Sequence, residues 1–301
     1  MELIYDMPFG KLRFFCTADN AFSICQIFGA VTYTKKFADD EYIVHIEKQA
    51  FVSDRSYRAK QMQQGLYLGH HTGTSCSLHI DGRNIYIYSS DANSYSKIIW
   101  SFITKYIFTK VALDHDVLHV KATMLMDSNK KIILLFGKGG SGKTTLATHL
   151  KKYSFCTLSN THCFIHEDYV WGVNSWIRSR QSTGEDHYNV AETLESSPEG
   201  VCKIYTIRDY SLDSGKLVFK ASDKLFAYGY IRYFSAAINN YDLKEEVWDY
   251  FAENYVQKIQ YFHKEDTLVK RFVKSHQIYV TSVDVENESD VKHFVECLNS
   301  C

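Results

Sequence analysis

Nine residues near the middle of the chain combine four glycines, two lysines and three hydroxyl side chains in a spacing that suits phosphate binding. The segment Gly137-Lys-Gly-Gly-Ser-Gly-Lys-Thr-Thr145 matches the pattern G-x-x-x-x-G-K-[ST] completely. Glycines let the backbone turn until successive N–H groups face an anion, and a helix that begins directly afterwards adds its positive end. The candidate phosphate-binding residues are Gly137, Gly139, Gly140, Ser141, Gly142, Lys143, Thr144 and Thr145.

The elements predicted on both sides of this loop are a strand and a helix. Residues 131–136 form an apolar run typical of a buried strand, and the apolar residues of 146–150 recur at helical spacing. Lys143 is expected to reach the β- and γ-phosphates of a nucleotide, and Thr144 to place its hydroxyl on Mg²⁺. The sequence therefore predicts that ATP and Mg²⁺ bind here.

Composition and charge indicate an ordinary globular protein. The 301 residues are 45% hydrophobic and 23% charged, which suits two modest domains, and we expect the division between residues 93 and 94. A net charge of −1 gives no field for nucleic acid or a membrane surface. The sequence has no apolar run of roughly 20 residues and does not begin like a signal peptide, so we expect a cytoplasmic protein. The sequence is compatible with a homo-oligomer.

The N-terminal half, up to about residue 95, is predicted to be a β-rich, antiparallel module. Alternating apolar residues predict strands over 12–16, 41–46, 77–80 and 84–88. The residues Asp81-Gly82-Arg83 predict a hairpin with a type I′ turn. The segment shows no catalytic set of residues.

The second half, residues 94–301, mixes helices and strands. Spacing predicts a helix over 94–113, one strand over 118–126, a further strand over 157–165 and a mobile loop over 181–200. Strands over 201–205, 217–219 and 277–280 and helices over 244–262 and 289–298 follow. The overall prediction is an α/β (α+β) chain.

The eight cysteines are interpreted as reduced thiols because the sequence has no secretory features. Cys156, His162, Cys163 and His166 lie close together, but their spacing matches none of the common zinc patterns. Alternating faces of a strand explain this set better than a metal site does.

Several motifs surround the phosphate loop: Val117-Leu-His119-Val-Lys-Ala122, the hairpin before the loop, Leu158-Ser-Asn-Thr161, and Gly172 followed by Arg178-Ser-Arg180. Together with the loop itself, these motifs resemble the HPr kinase-like family. The resemblance covers about residues 95 to 180. That family has the nucleotide fold of phosphoenolpyruvate carboxykinase and includes serine kinases of HPr and kinases of lasso-peptide precursors. The resemblance implies a β-rich N-terminal module followed by a P-loop kinase domain.

The same resemblance implies roles for residues outside the loop. His119 corresponds to a family histidine near the phosphates, and Asn160 and Thr161 stand where the family tends to carry an acidic pair. Neither residue can accept a proton as a carboxylate does, although the Asn160 amide could contact Mg²⁺ or a phosphate. Candidates to replace the missing base are Glu167, Asp168, His119 and His162.

Two arginines and a histidine further along are candidates for substrate contact. Arg178 and Arg180 alternate on a predicted strand, so both guanidiniums would face one side and suit a phosphate or an acidic substrate. His187 lies in the predicted mobile loop and could also meet substrate. A solvated surface is the alternative for all three.

These expectations favour an ATP-dependent, Mg²⁺-requiring kinase that acts on a hydroxyl of a small protein, a peptide or a small molecule. The alternative is a nucleotide-binding pseudokinase or regulatory module, because Asn160 and Thr161 replace the carboxylates. A third alternative, an NTPase that couples hydrolysis to movement, lacks a strand ending in an acidic Walker B residue.

Overall fold

The structure, a computed structural model, describes residues 1–28, 38–48, 59–62, 65–68, 76–89, 106–138, 140–167, 169–173, 176–181, 184–189, 201–207, 218–235 and 254–300. The chain mixes helices and strands and divides into two compact units. The first unit comprises Met1–Val117 and Ala236–Lys264, and the second comprises Leu118–Ser235 and Glu265–Cys301. The boundary predicted between residues 93 and 94 lies outside the described residues.

The first unit is built on a seven-stranded sheet in the order β1-β2-β3-β7-β6-β5-β4. Its strands are β1 (Glu2–Met7), β2 (Gly10–Phe15), β3 (Glu41–Lys48), β4 (Ala59–Met62), β5 (Gly65–Leu68), β6 (Cys76–Asp81) and β7 (Asn84–Ser89). Helices α1 (Ala18–Phe28) and α2 (Phe108–Asp114) also belong to this unit. Alternate residues of β2 and β3, among them Leu12, Phe14 and Val44, are fully buried in the core.

The prediction of an antiparallel module is wrong in part, because β3 runs parallel to both β2 and β7. A parallel pair needs a crossover connection, and helix α1 lies between β2 and β3 in the chain. The sequence marks the start of this helix with Thr17, whose Oγ1 accepts a hydrogen bond from the Asn20 N–H at 3.3 Å. The hairpin at Gly82 is confirmed, but Arg83 does not share its positive φ, so the type I′ assignment is wrong.

The second unit contains a six-stranded sheet in the order β11-β9-β10-β16-β18-β17 and a three-stranded sheet in the order β13-β12-β8. The strands are β8 (Leu118–Lys121), β9 (Thr123–Met126), β10 (Ile132–Phe136), β11 (Cys156–Ser159), β12 (His162–His166), β13 (Tyr169–Gly172), β14 (Trp176–Gln181), β15 (Gly184–Asn189), β16 (Val201–Ile207), β17 (Val218–Ala221) and β18 (Ile278–Ser282). Strands β14 and β15 form a separate antiparallel pair. Strands β10, β16 and β18 are parallel, as in an α/β sheet.

The remaining helices are α3 (Lys143–Leu150), α4 (Lys224–Phe234), α5 (Tyr255–Ser275) and α6 (Glu288–Ser300). Apolar residues of α3 and α6, including Leu146 and Phe294, pack with Ile133 and Leu135 of β10 in one cluster. Phe136, which has the opposite orientation on the strand, contacts Phe234 of α4 with 6.3 Å between ring centroids. Helices therefore cover both faces of the strand that leads into the phosphate loop.

Several sequence-based elements are corrected. The strand predicted over 118–126 is two strands in different sheets, and so is the strand predicted over 157–165. The loop predicted over 181–200 contains β15, which apolar periodicity cannot reveal because five of its six residues are polar or glycine. Helix α5 extends 13 residues beyond the predicted end at 262, and α4 was not predicted. Residues 90–105 and 190–200 lie outside the described residues.

Helices in the described ranges include none that is both long enough and apolar enough to cross a membrane.

Candidate phosphate-binding site

The loop after β10 contains two glycines in the left-handed backbone conformation. Gly140 and Gly142 have φ angles of +81° and +82°, which L-residues with a side chain rarely adopt. Gly142 is also the residue before helix α3, and no side chain caps the first N–H groups of that helix. These donors are therefore available for an anion at the positive end of the helix. Gly139 lies outside the described residues.

Lys143 holds its ammonium group across the loop. The Nζ atom donates to the carbonyl oxygens of Gly137 at 2.6 Å and Lys138 at 2.9 Å, and to Ser141 Oγ at 3.4 Å. Burial lowers the pKa of Lys143 to about 8. The loop thus holds a partly buried cation among its own oxygens, where phosphate oxygens could replace some of those contacts.

Thr144 and Asn160, the two predicted Mg²⁺ contacts, lie side by side. Thr144 Oγ1 donates to Asn160 Oδ1 at 3.1 Å, and Asn160 is 9% exposed. The main-chain carbonyl of Asn160 accepts a further bond from Thr123 Oγ1 at 2.9 Å. Two neutral oxygens therefore adjoin each other beside the loop, which is a chemically reasonable but weak set for Mg²⁺. Thr145 is partly exposed on the first turn of α3.

His119 lies on the strand before the hairpin and is 2% exposed. Its Nε2 and Nδ1 of His162 are 3.0 Å apart, so one ring donates to the other. Burial, with a smaller contribution from the charge of Lys121, lowers the pKa of His119 to about 3. This imidazole is therefore neutral at physiological pH and a weak proton acceptor.

Lys121 belongs to the same region but was not singled out from the sequence. It lies two residues after His119 and therefore on the same face of β8, and it is paired in register with His162 on β12. Burial lowers its pKa to about 8, and the nearby charge of Lys143 acts in the same direction. The alternation in Leu118-His-Val-Lys121 is the signal that could have placed Lys121 beside His119.

Glu167 is not brought to the loop. It lies in the turn after β12, with a positive φ of 53°, whereas Asn160 lies just before the start of that strand. Five strand residues separate the two turns by roughly 15 Å at about 3.3 Å per residue. Glu167 is therefore poorly placed to act as the base, and Asp168 lies outside the described residues.

Arg178 and Arg180 both lie on strand β14, in agreement with the predicted strand. They are paired in register with His187 and Glu185 of β15. The side chains of both arginines lie outside the described part of the structure, so their substrate role stays a prediction.

The described hydrogen bonds of the loop involve no carboxylate. In the described part of the chain, the hydrogen-bond partners of Lys143, Thr144 and Asn160 include no Asp or Glu side chain. The described residues also contain no group of three His, Cys, Asp or Glu side chains that could hold a metal ion. The zinc alternative at Cys163 gains no support, since its Sγ instead donates to the Ala122 carbonyl at 3.5 Å.

One acidic residue near the loop was missed. Val285 contacts the loop, because a Cβ atom built on Gly142 would lie 3.0 Å from Val285 Cγ1. Asp284 precedes Val285 and follows β18, which lies in the same parallel set as β10. The carboxyl ends of parallel strands share one edge of a sheet, and this rule could have identified Asp284 from the sequence.

Neither a protein-family model nor a curated protein sequence matches this chain.

Proposed function

We propose that this protein is an ATP-dependent kinase of the HPr kinase-like type that transfers the γ-phosphate to a hydroxyl of a small protein, a peptide or a small molecule. The observation that carries the proposal is the arrangement of Lys143, Thr144 and Asn160 around the Gly140 and Gly142 turns. A cation, two adjoining oxygens and uncapped helix N–H groups are the groups that a nucleotide's phosphates need.

Each group has a defined part in this proposal. The first N–H groups of α3 bind phosphate oxygens, and Lys143 exchanges its carbonyl contacts for the β- and γ-phosphates. Lys121 adds a second positive charge near Lys143. Mg²⁺, when bound beside Thr144 and Asn160, would neutralise negative charge on the β- and γ-phosphate oxygens.

Glu167 and His119, two of the candidate bases, are poorly suited to accept the proton of the acceptor hydroxyl. Glu167 lies at the far end of β12, and His119 has a pKa of about 3. Phosphoryl transfer through a loose transition state depends mainly on positioning and charge stabilisation, so the two lysines can support the reaction without a strong base. We therefore expect slow transfer rather than none.

A matched pair of lysine variants tests the nucleotide site. Lys143→Met should weaken binding of a fluorescent ATP analogue by roughly tenfold to a hundredfold, the range for losing charge-assisted hydrogen bonds. Lys138→Met is the control, because this lysine belongs to the same loop but its side chain is exposed. Equal affinity in the two variants would remove the basis for a phosphate site.

Transfer is tested with γ-labelled ATP, Mg²⁺ and an extract of the source cells. A labelled acceptor that appears with the wild type and Lys138→Met, but not with Lys143→Met, supports the kinase. Nucleotide binding without any labelled acceptor supports instead a regulatory module that binds ATP.

The regulatory alternative is favoured by Asn160, which stands where an acidic residue is expected and hydrogen-bonds Thr144. Asn160→Asp separates the two functions. For a kinase with a weakened Mg²⁺ site, the added charge should lower the Mg²⁺ concentration needed for half-maximal transfer. In a protein that only binds nucleotide, the variant should change Mg²⁺-dependent ATP affinity and produce no transfer.

A further inference from the structure

A polar cavity of about 470 Å³ lies within the first unit. Its walls come from the start of β3, the β6–β7 turn, the end of α2 and the first part of α5. The volume falls within the range of about 300 to 1,000 Å³ typical of small-molecule sites. This cavity contains none of the residues of the phosphate-binding site.

The floor of the cavity is held in place by one carboxylate. Asp114 accepts hydrogen bonds from the hydroxyls of Tyr42 at 2.8 Å and Tyr261 at 2.9 Å, and from Lys110 Nζ at 2.5 Å. Burial, together with the charge of Asp114, raises the pKa of Tyr42 well above its usual value, so the hydroxyl stays a donor. The side chains of the floor therefore hydrogen-bond one another before any ligand binds.

The rim carries charges of both signs. Arg83 is 2.7 Å from Asp40, and Lys264 is 3.1 Å from Asp116, which lies just outside the lining. The Arg83 and Lys264 side chains are 58% and 32% exposed. Ion pairs as exposed as these contribute only about 0 to 1 kcal/mol, so a ligand can replace one partner at little cost.

Around the cavity the charges balance in pairs. Lys110 compensates Asp114 in the floor, and the rim pairs are equally matched. His115 lines the cavity too, and burial lowers its pKa although Asp40 and Asp114 oppose the change. The lining is therefore close to neutral overall while offering separated positive and negative groups.

This balance selects the class of ligand. A nucleotide or another polyanion would need a lining with net positive charge. An apolar molecule would leave the polar groups of the lining without hydrogen bonds. A metal ion is not favoured either, because the described residues contain no group of three side chains that could hold one. We propose that the cavity binds a small zwitterion, either a free amino acid or a dipeptide.

In this site the ligand carboxylate lies between Arg83 and Lys264, and the ammonium lies against Asp40. Gln257 and Gln260, which line the cavity from successive turns of α5, bond the polar groups between the two charges. A dipeptide has an amide for these two side chains, whereas a free amino acid uses its own side chain.

Saturation-transfer NMR on the full chain tests the proposal. The probes are an equimolar mixture of the protein-forming L-amino acids, the dipeptide glycyl-L-glutamine, and N-acetyl-L-glutamine methylamide, which lacks both charges. Transfer to at least one zwitterion, but not to the capped compound, is the expected result. Comparing the mixture with the dipeptide shows which zwitterion is bound.

Three variants locate the binding. Gln260→Trp fills the cavity from an exposed helix position, and Arg83→Gln removes one carboxylate contact. Each should lower affinity for the bound zwitterion, measured by calorimetry, by roughly tenfold or more. His263→Ala, on the same helix but not in the cavity lining, is the control and should bind normally.

The idea is overturned by either of two outcomes. One is that no zwitterion receives saturation in the folded wild type, and the other is that Gln260→Trp, shown to be folded by circular dichroism, binds as the wild type does. Failure of ATP binding at Lys143 would leave this result unaffected, since the two sites share no residue.

Discussion

Gly142 offers the sharpest test of how the loop is built. Its φ of +82° is a conformation that costs an alanine about 1 to 2 kcal/mol. An alanine Cβ would also lie 3.0 Å and 3.2 Å from the two Cγ atoms of Val285. Valine is stiff about χ1, so relieving this overlap should cost a further 1 to 3 kcal/mol or so. We expect Gly142→Ala to lower the free energy of unfolding by roughly 2 to 5 kcal/mol.

Gly140 provides the matched comparison for this prediction. Its φ is +81°, but no atom of the described residues lies within 4 Å of a Cβ built there. Gly140→Ala should therefore cost only the conformational term, about 1 to 2 kcal/mol. The effect of alanine on the entropy of the unfolded chain is similar at both positions and cancels in the difference. That difference, about 1 to 3 kcal/mol, measures the Val285 contact.

Urea unfolding followed by circular dichroism gives the required free energies. Val285→Ala made in the Gly142→Ala background should recover most of the extra loss, with Val285→Ala alone completing the double-mutant cycle. Equal destabilisation by Gly140→Ala and Gly142→Ala, or no coupling between Gly142 and Val285, would refute the claim that the segment after β18 packs on the loop.

Three further predictions concern the second unit. Gly172→Ala would bring a Cβ to 2.6 Å from Ser159 Cβ, so we expect a loss of about 2 to 4 kcal/mol in urea unfolding and weaker ATP binding. Lys121→Met should raise unfolding free energy at pH 7 by about 1 kcal/mol, because the wild-type pKa is lowered from 10.5 to about 8 in a partly exposed side chain. Wild-type stability should accordingly gain from Lys121 as the pH rises from about 8 to 10.5, and pH-dependent unfolding of the variant should lack that gain. Glu265→Gln, at a fully buried carboxylate 2.8 Å from Arg232, should lower the melting temperature, with a free-energy loss of roughly 3 to 5 kcal/mol.

The strongest sequence signals were local ones. The hairpin of β9 and β10 is confirmed, with Met126 opposite Ile132. The predicted strand over 201–205 corresponds to β16, and the helix predicted over 289–298 corresponds to α6. Each of these segments has enough neighbouring apolar residues at one period to identify its structure without knowledge of distant contacts.

Elements that depend on polar residues or distant partners were missed. Helix α1 begins at a Thr17 cap rather than at an apolar pattern, and β15 is polar along most of its length. Strands β3 and β7 lie far apart in the sequence and pair in parallel, and no local pattern indicates this pairing. Periodicity records which side of an element is buried but not which strand lies beside it.

The candidate site depends on two points where the chain passes from one sheet of the second unit to the other. We call these points breaks, and apolar periodicity does not reveal them. At Ala122 the chain leaves the three-stranded sheet for the six-stranded one, and at Asn160 and Thr161 it returns. The Ala122 N–H donates to the Thr161 carbonyl at 3.1 Å, and Thr123 Oγ1 donates to the Asn160 carbonyl. These bonds join the two breaks, where the polar residues Thr123 and Asn160 are buried.

The joined breaks explain why residues far apart in the sequence meet at the loop. One break carries Lys121, on which the charge of Lys143 acts, and the other carries Asn160, which accepts a hydrogen bond from Thr144. Gly172 permits this junction, because any larger residue would overlap Ser159 directly before Asn160. The positions of Lys121 and Asn160 are therefore properties of the junction between the sheets, whereas Lys143 and Thr144 follow from the loop alone.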